Sequence, residues 1–401
     1  MPRATRRRFV RNTTLAAAGL VTTGIAGAGG RDPTKVRVAL IGRTGKGDYG
    51  HALDVAFTKL PNVEIVALAD ESEVGRKAAQ KRTGAKKTYA DFQDMLATER
   101  VDIVGICPRW IDQHHDMILA AAQAGAHVYM EKPFCRNLAE CDSAIRELEK
   151  KNLKLGIAHI SQYSPVLDVV VKLIQQGEIG ELLELRGRGK EDRRGGGEDL
   201  WVLGSHVFGL MRSLAGADAV ACTARVTRDG HPITRADVME GAEGIGPLAG
   251  DHIQAHYEFP DGVSGYFASR RNVAGNPTRF AVQVFGSKGI IDIESGFGAK
   301  AYLLKDSSWS PGRSGKGTWK TITSAGIDQP EPRDDAHYEG GHVAAIRDLI
   351  DCMQHDRKTR CSAEDSRSII GMIAAVFESQ RVGGRVDLPL KTRVNPLTLL
   401  S

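Results

Sequence analysis

Cysteine is scarce in this chain. Its six residues (Cys107, Cys135, Cys141, Cys222, Cys352 and Cys361) include no C-x-x-C and no paired spacing, so they outline neither a disulfide framework nor a cysteine metal site. No apolar run is strong enough for a stable membrane span, and no internal repeat is visible. A basic stripe is also missing. The net charge of +5 comes entirely from five arginines in residues 1–28, leaving 49 basic and 49 acidic residues in the remainder. That removes the electrostatic footprint of a nucleic-acid binder. What is left is an ordinary globular composition, 41% hydrophobic and 26% charged over 401 residues, enough for two domains with a large core.

The arginines have their own pattern. "TRRRFVR" (Thr5 to Arg11) leads into an uncharged run of small and mildly apolar residues that contains Ala26-Gly27-Ala28. This resembles a twin-arginine (Tat) export signal with an A-x-A cleavage site; a disordered basic tail is the alternative. The resemblance implies a signal segment over 1–28, passage through the Tat machinery to the periplasm or beyond, and cytosolic folding with free thiols.

From residue 35 strand and helix patterns alternate. "KVRVALIG" (35–42) is a continuous apolar run, as in a parallel strand buried on both faces. A Gly-rich turn follows in two competing registers, Gly42-x-Thr44-x-x-Gly47 and Gly45-x-Gly47-x-x-Gly50. Either feeds a helix expected from about Tyr49 to Lys59, whose start can hold a pyrophosphate. "VEIVALAD" ends in Asp70, 28 residues after Gly42, where an acid would bind the adenosine ribose and disfavour a 2′-phosphate. NAD is therefore expected, although Arg43 beside the turn is a cation that could reverse the preference toward NADP. Further strands end at Pro108 and at Glu131-Lys132-Pro133. A helix from about Gln113 to Ala124 has Asp112 as its expected cap, and Asn137 with Glu140 opens the next. The alternation predicts a doubly wound parallel Rossmann sheet over 35–158. Ligands bind at the carboxyl ends of such strands, which places Gly42, Asp70, Pro108 and Glu131 on one crevice.

After 158 the pattern becomes many alternating runs with polar turns, then helices at about 339–354 and 363–382. The expectation for 159–390 is an α+β domain with an open, mainly antiparallel sheet. The charged, Gly-rich stretch from Lys190 to Asp199 reads as a substrate-facing loop. His252 and His256 share a strand face, and His337 and His342 flank a glycine pair; no set has metal spacing.

The Gly-rich turn, "IVALAD", "ICP…H…AAAQAGAHVYMEKP" and the later "GEIGEL" together resemble the Gfo/Idh/MocA family of nicotinamide-dependent sugar oxidoreductases. The likeness spans 35–390 and is stronger in the first half. It implies that Lys132 touches both the nicotinamide ribose and the substrate hydroxyl, that Lys132-Pro133 is cis, that His114 is a cofactor-side histidine, and that His206 is the active-site histidine. Where that family commonly has aspartates, four residues before and three after His206, this chain has Val202 and Gly209. Glu198, Asp199 and Tyr163 are candidate substitutes. The implied activity is hydride transfer at a hydroxyl of a sugar, sugar acid or cyclitol by a homo-oligomer with retained cofactor. An NAD-dependent glycosidase and a catalytically silent binding homologue are the alternatives.

Overall fold

The structure, a computed structural model, describes residues 34–401 except 316, 336 and 337. The twin-arginine segment and His337 lie outside the described residues. The apolar runs become one parallel sheet: β1 (Val36–Ile41), β2 (Val63–Ala69), β3 (Lys87–Tyr89), β4 (Ile103–Ile106), β5 (His127–Met130) and β6 (Leu155–Ile157). Their spatial order is β3-β2-β1-β4-β5-β6. Val38 to Ile41 and Ile103, Val104 and Ile106 are almost wholly buried, as continuous apolar strands between two helical layers must be. Strand order reverses between β1 and β4, so a crevice opens at their carboxyl ends.

The second sheet runs from its edge strand Gly326–Ile327 through Trp319–Thr323, Ala301–Leu304, Gly289–Glu294, Ala281–Gly286 and Leu182–Arg188. It continues through Ser264–Arg270, His252–Glu258 and Ala221–Arg228. Leu182–Arg188 and Ser264–Arg270 pair in parallel, and the other described pairs of this sheet are antiparallel. Period-two burial follows: Ile253, Ala255 and Tyr257 face inward, against helices Gly204–Ala215 and Ala363–Val382, where Phe208 stacks near Tyr257 and Phe267. The opposite face is polar and open, with a cleft of about 980 Å³ beside Arg186, Arg225, His256, Tyr266 and Asp292. Both sheets belong to one contact unit from Lys35 to Ser401.

Three local expectations need correction. The helix after the Gly-rich turn begins at Leu53, not Tyr49, because left-handed residues at Gly47, Asp48, Gly50 and Ala52 prolong the turn. Asp112 does not cap the following helix; it lies in a short 3-10 turn and accepts from Arg43 Nη1 at 2.7 Å. The stretch from Lys190 to Asp199 is mostly structural. Buried Asp199 accepts from Ser269 Oγ and the backbone of Lys190 and Glu191, and buried Glu191 pairs with Arg188 and Arg279. Only Lys190 of this stretch lines the cavity described next.

Candidate active site

The Gly-rich turn closes on itself through an Arg43–Asp48 bridge. Gly42 lies under the Tyr49 ring, and Gly45 faces open space. Two glycines are forced. A Cβ on Gly47 (φ +83) would stand 2.4 Å from the Arg109 amide nitrogen, and one on Gly50 (φ +67) 2.5 Å from Glu131 Oε1. Both registers read from the sequence therefore end on a glycine that the backbone requires. We expect Gly47→Ala to cost about 1–3 kcal/mol of stability, measured by denaturant unfolding.

Asp70 at the end of β2 accepts from Thr44 Oγ1 at 2.7 Å and from the Ser72 amide at 2.9 Å. It tethers turn to strand and is almost fully buried. Arg43 is also buried and its Nη1 is tied to Asp112, so the end of the cation that could have favoured a 2′-phosphate is already taken. Arg43 Nε and Arg109 Nε are buried at or beside this turn without partners. Two guanidinium N–H donors with unmet hydrogen bonds suit the anionic pyrophosphate of a dinucleotide.

β5 delivers Glu131 and Lys132 to the crevice. Glu131 accepts from His51 N and meets His51 Nδ1, both at 3.0 Å, and from Lys132 N at 3.2 Å. Burial alone would raise this carboxyl, but the His51 hydrogen bond and charge and the Lys132 ammonium hold it well below the usual range. The peptide from Lys132 to Pro133 is cis. Lys132 Nζ donates to the Val202 carbonyl at 3.1 Å, and burial pushes its pKa down. A backbone carbonyl thus holds the lysine at the position where an aspartate is usual. It supplies position but no formal charge.

His206, in the first turn of its helix, shares a cavity of about 260 Å³ with His51, Glu131, Lys132, Lys190 and His342. Its Nδ1 is buried and unpaired, and burial followed by the Lys132 charge lowers its pKa well below the ordinary histidine value.

His114 corrects an expectation. It is fully buried, with its ring nitrogens 2.8 Å from the carbonyls of Pro108 and Pro133. It braces the exits of β4 and β5, and neither nitrogen is left for a cofactor.

Four residues near the cavity were not anticipated as site residues. His51 directly follows the last turn glycine, and His159 follows β6, so the strand-end rule could have found both. His342 and its partner Tyr129 could not be found that way, because they are 213 residues apart and meet at 2.8 Å only in the fold. Burial lowers His342 to about 4 and His159 to about 3. Below pH ~6.5 the unfolded chain binds protons that these folded imidazoles refuse, so stability falls from about pH 6.5 toward 4. The slope is up to about 1.4 kcal/mol per pH unit per histidine. Thermal melts across this window should show it, and His342→Gln should flatten it.

Two family models match, the oxidoreductase family's NAD-binding Rossmann fold over residues 36–159 and the Gfo/Idh/MocA C-terminal domain over 168–292. Together they cover more than half of the chain. Levoglucosan dehydrogenase of Pseudarthrobacter phenanthrenivorans is 24% identical over 284 residues, 63% of this chain and 72% of that one. Myo-inositol 2-dehydrogenase of Thermotoga maritima is 25% identical over 259 residues, covering 63% and 74%. A glycosyl hydrolase family 109 protein of Shewanella baltica is 28% identical over 206 residues, 44% of each. Levoglucosan dehydrogenase solved with NADH and levoglucosan shares the fold at a TM-score of 0.72 and 20% identity, covering 89% of this chain and 100% of that one. The two sheets, the crevice and these matches agree: the chain belongs to the Gfo/Idh/MocA family of oxidoreductases, with an NAD-binding Rossmann domain at its amino-terminal side.

Proposed function

We propose that this oxidoreductase transfers hydride between NAD and a CH–OH carbon of a sugar, sugar acid or cyclitol in the cavity beside β5. The observation that carries this reading is the meeting of Lys132 and His206 in one cavity at the carboxyl end of the sheet. NAD, when bound, supplies the hydride acceptor. Gly42, Gly47 and the unpaired donors of Arg43 and Arg109 would hold its pyrophosphate, and Asp70 its adenosine side. Lys132 Nζ hydrogen-bonds the substrate oxygen and stabilises negative charge as it develops. His206 Nε2, the nitrogen not enclosed in the protein, takes the hydroxyl proton. His342 stands on the wall of the same cavity. Its Nδ1 lies 2.8 Å from the buried Tyr129 hydroxyl. Mixing the protein with NAD and a panel including levoglucosan, myo-inositol and aldohexoses should yield reduced nicotinamide with at least one member. Silence across the panel, with NAD bound, would leave the silent-homologue reading standing.

The twin-arginine segment supports export to the periplasm. With no large free NAD pool there, the dinucleotide stays bound and is recycled within each turnover. The open polar sheet face suits pairing with a second copy of the chain.

A second reading, glycoside cleavage through transient oxidation, is favoured by the similarity to the glycosyl hydrolase family 109 protein. Chromogenic glycosides separate the two, since the hydrolase releases the leaving group without net nicotinamide change.

A further inference from the structure

His159 stands two residues past the end of β6 and is 3% exposed. Its ring lies 5.4 Å from that of His206, nearly perpendicular at 84°. In both histidines Nδ1 is buried without a partner and Nε2 is not. The rings line different cavities. His206 lines the one with Lys132, whereas His159 lines a separate cavity of about 320 Å³. This second cavity is polar, bordered by Arg212, Asp218 and Asp365. Gln162 Nε2 and Ser366 Oγ, both buried and unpaired, belong to the same wall. Gly209 also borders it, and a Cβ there would sit 3.0 Å from Gln162 Nε2. A larger side chain at the position where a carboxylate was expected would therefore crowd this cavity.

An imidazole that takes a proton in a buried site must release it before the next turnover. Among the described residues no carboxylate lies within ion-pair distance of His206, so no ion pair holds its charge where it forms, and Glu131 opposes the effect of burial and Lys132 only in part. We propose that His159 is the proton outlet of the active site, receiving the substrate's proton from His206 and passing it to water in the second cavity. This rests on the hydride-transfer reading above.

The balance is as follows. The substrate C–H bond breaks with its electron pair, which leaves as hydride to NAD+, and the O–H proton goes to His206 Nε2 as the C=O bond forms. His206 gives up its Nδ1 proton to His159 Nδ1, and His159 releases its Nε2 proton. This leaves the hydrogen on Nε2 of His206 and on Nδ1 of His159, and exchange with water as each ring swings restores Nδ1–H on His206 and Nε2–H on His159 for the next turnover. One proton reaches solvent per hydride transferred; in reduction the path runs backward. Both Nδ1 atoms are closed to water in the resting structure, so a swing of the rings is what brings them together.

Burial and the Lys132 charge, opposed by Glu131, keep the His159 pKa near 3, so the ring passes a proton on without storing it. The groups that bear on it are Lys132 and Glu131 past β5, Arg212 on helix Gly204–Ala215, Asp365 on helix Ala363–Val382, and His206. Arg212 is itself paired with Asp218 and Asp365. His159 acts through His206, as a positioning residue that also carries the proton.

The test uses His159→Phe and His159→Gln in the full chain. We expect kcat to fall about 10- to 100-fold, the scale of losing a partner behind a reacting group. NAD affinity and KM should stay within about twofold, the solvent deuterium isotope effect on kcat should rise, and added imidazole should restore part of the rate. In the resting protein, ¹⁵N spectra of the histidine rings should show the His206 Nδ1 signal moving in both variants. A purely structural role would lower the melting temperature but move neither the isotope effect nor the imidazole response. Unchanged kcat and isotope effect in both variants, with an active wild type, overturn the outlet alone. A wild type that binds no nicotinamide overturns the hydride-transfer reading, and the outlet with it.

Discussion

Lys132→Met lowers kcat/KM by about 10²- to 10³-fold, the scale of removing one preorganised donor from a developing oxyanion. Lys132 is 5% exposed, and its Nζ donates to the Val202 carbonyl at the end of a short helix. In this dry setting its positive charge acts on the substrate oxygen with little screening by water. Methionine keeps the length and apolar stem and removes only the charge and donors. NAD affinity should fall far less than kcat/KM, because the pyrophosphate end of the crevice is untouched. The Val202 carbonyl loses its partner, at a cost of about 1–3 kcal/mol, so melting temperature must be recorded beside the kinetics. Loss of activity in a folded variant that still binds NAD is the expected result. Activity that survives the change would remove Lys132 from the chemistry.

His206→Asn lowers kcat by about 10²- to 10⁴-fold, the usual contribution of a positioned base. Asparagine can hold a hydrogen bond from a hydroxyl but cannot accept its proton at neutral pH. The wild-type pH profile carries a second expectation. A base works when deprotonated, and burial with the Lys132 charge depresses this imidazole. As pH falls through 6.5, where an ordinary histidine protonates, the rate should therefore hold until the lower pKa is reached. A rate that halves near 6.5 would place the titrating group elsewhere. Melting temperature must be recorded at each pH beside the rate, because His159 and His342 destabilise the fold over the same acid range.

The residues that could be read in advance are those whose role is set by position along the chain. A continuous apolar run ending in Gly42, Asp70 or Glu131 announces a buried parallel strand, and such strands end at a shared crevice. Lys132 follows from its strand, and His206 from likeness to a family motif. What escaped are contacts between distant segments. Nothing near Asp112 reveals that Arg43 will claim it, and nothing near Val202 reveals that its carbonyl will hold Lys132. The charged, Gly-rich stretch Lys190–Asp199 reads as a substrate-facing loop because such stretches usually lie at a surface. Ser269, Arg279 and nearby backbone amides hold Glu191 and Asp199 in the interior instead. His114 had the right spacing for a cofactor neighbour, but two carbonyls at strand exits occupy both of its nitrogens.

The central claim is that the crevice at the carboxyl ends of β1, β4 and β5 is a working NAD site, and calorimetric titration of the wild-type chain with NAD tests it most directly. Binding of one dinucleotide per chain, competed by NADH and weaker for NADP, is the predicted result. A flat titration, on protein in which native mass spectrometry finds no dinucleotide already bound, would contradict it.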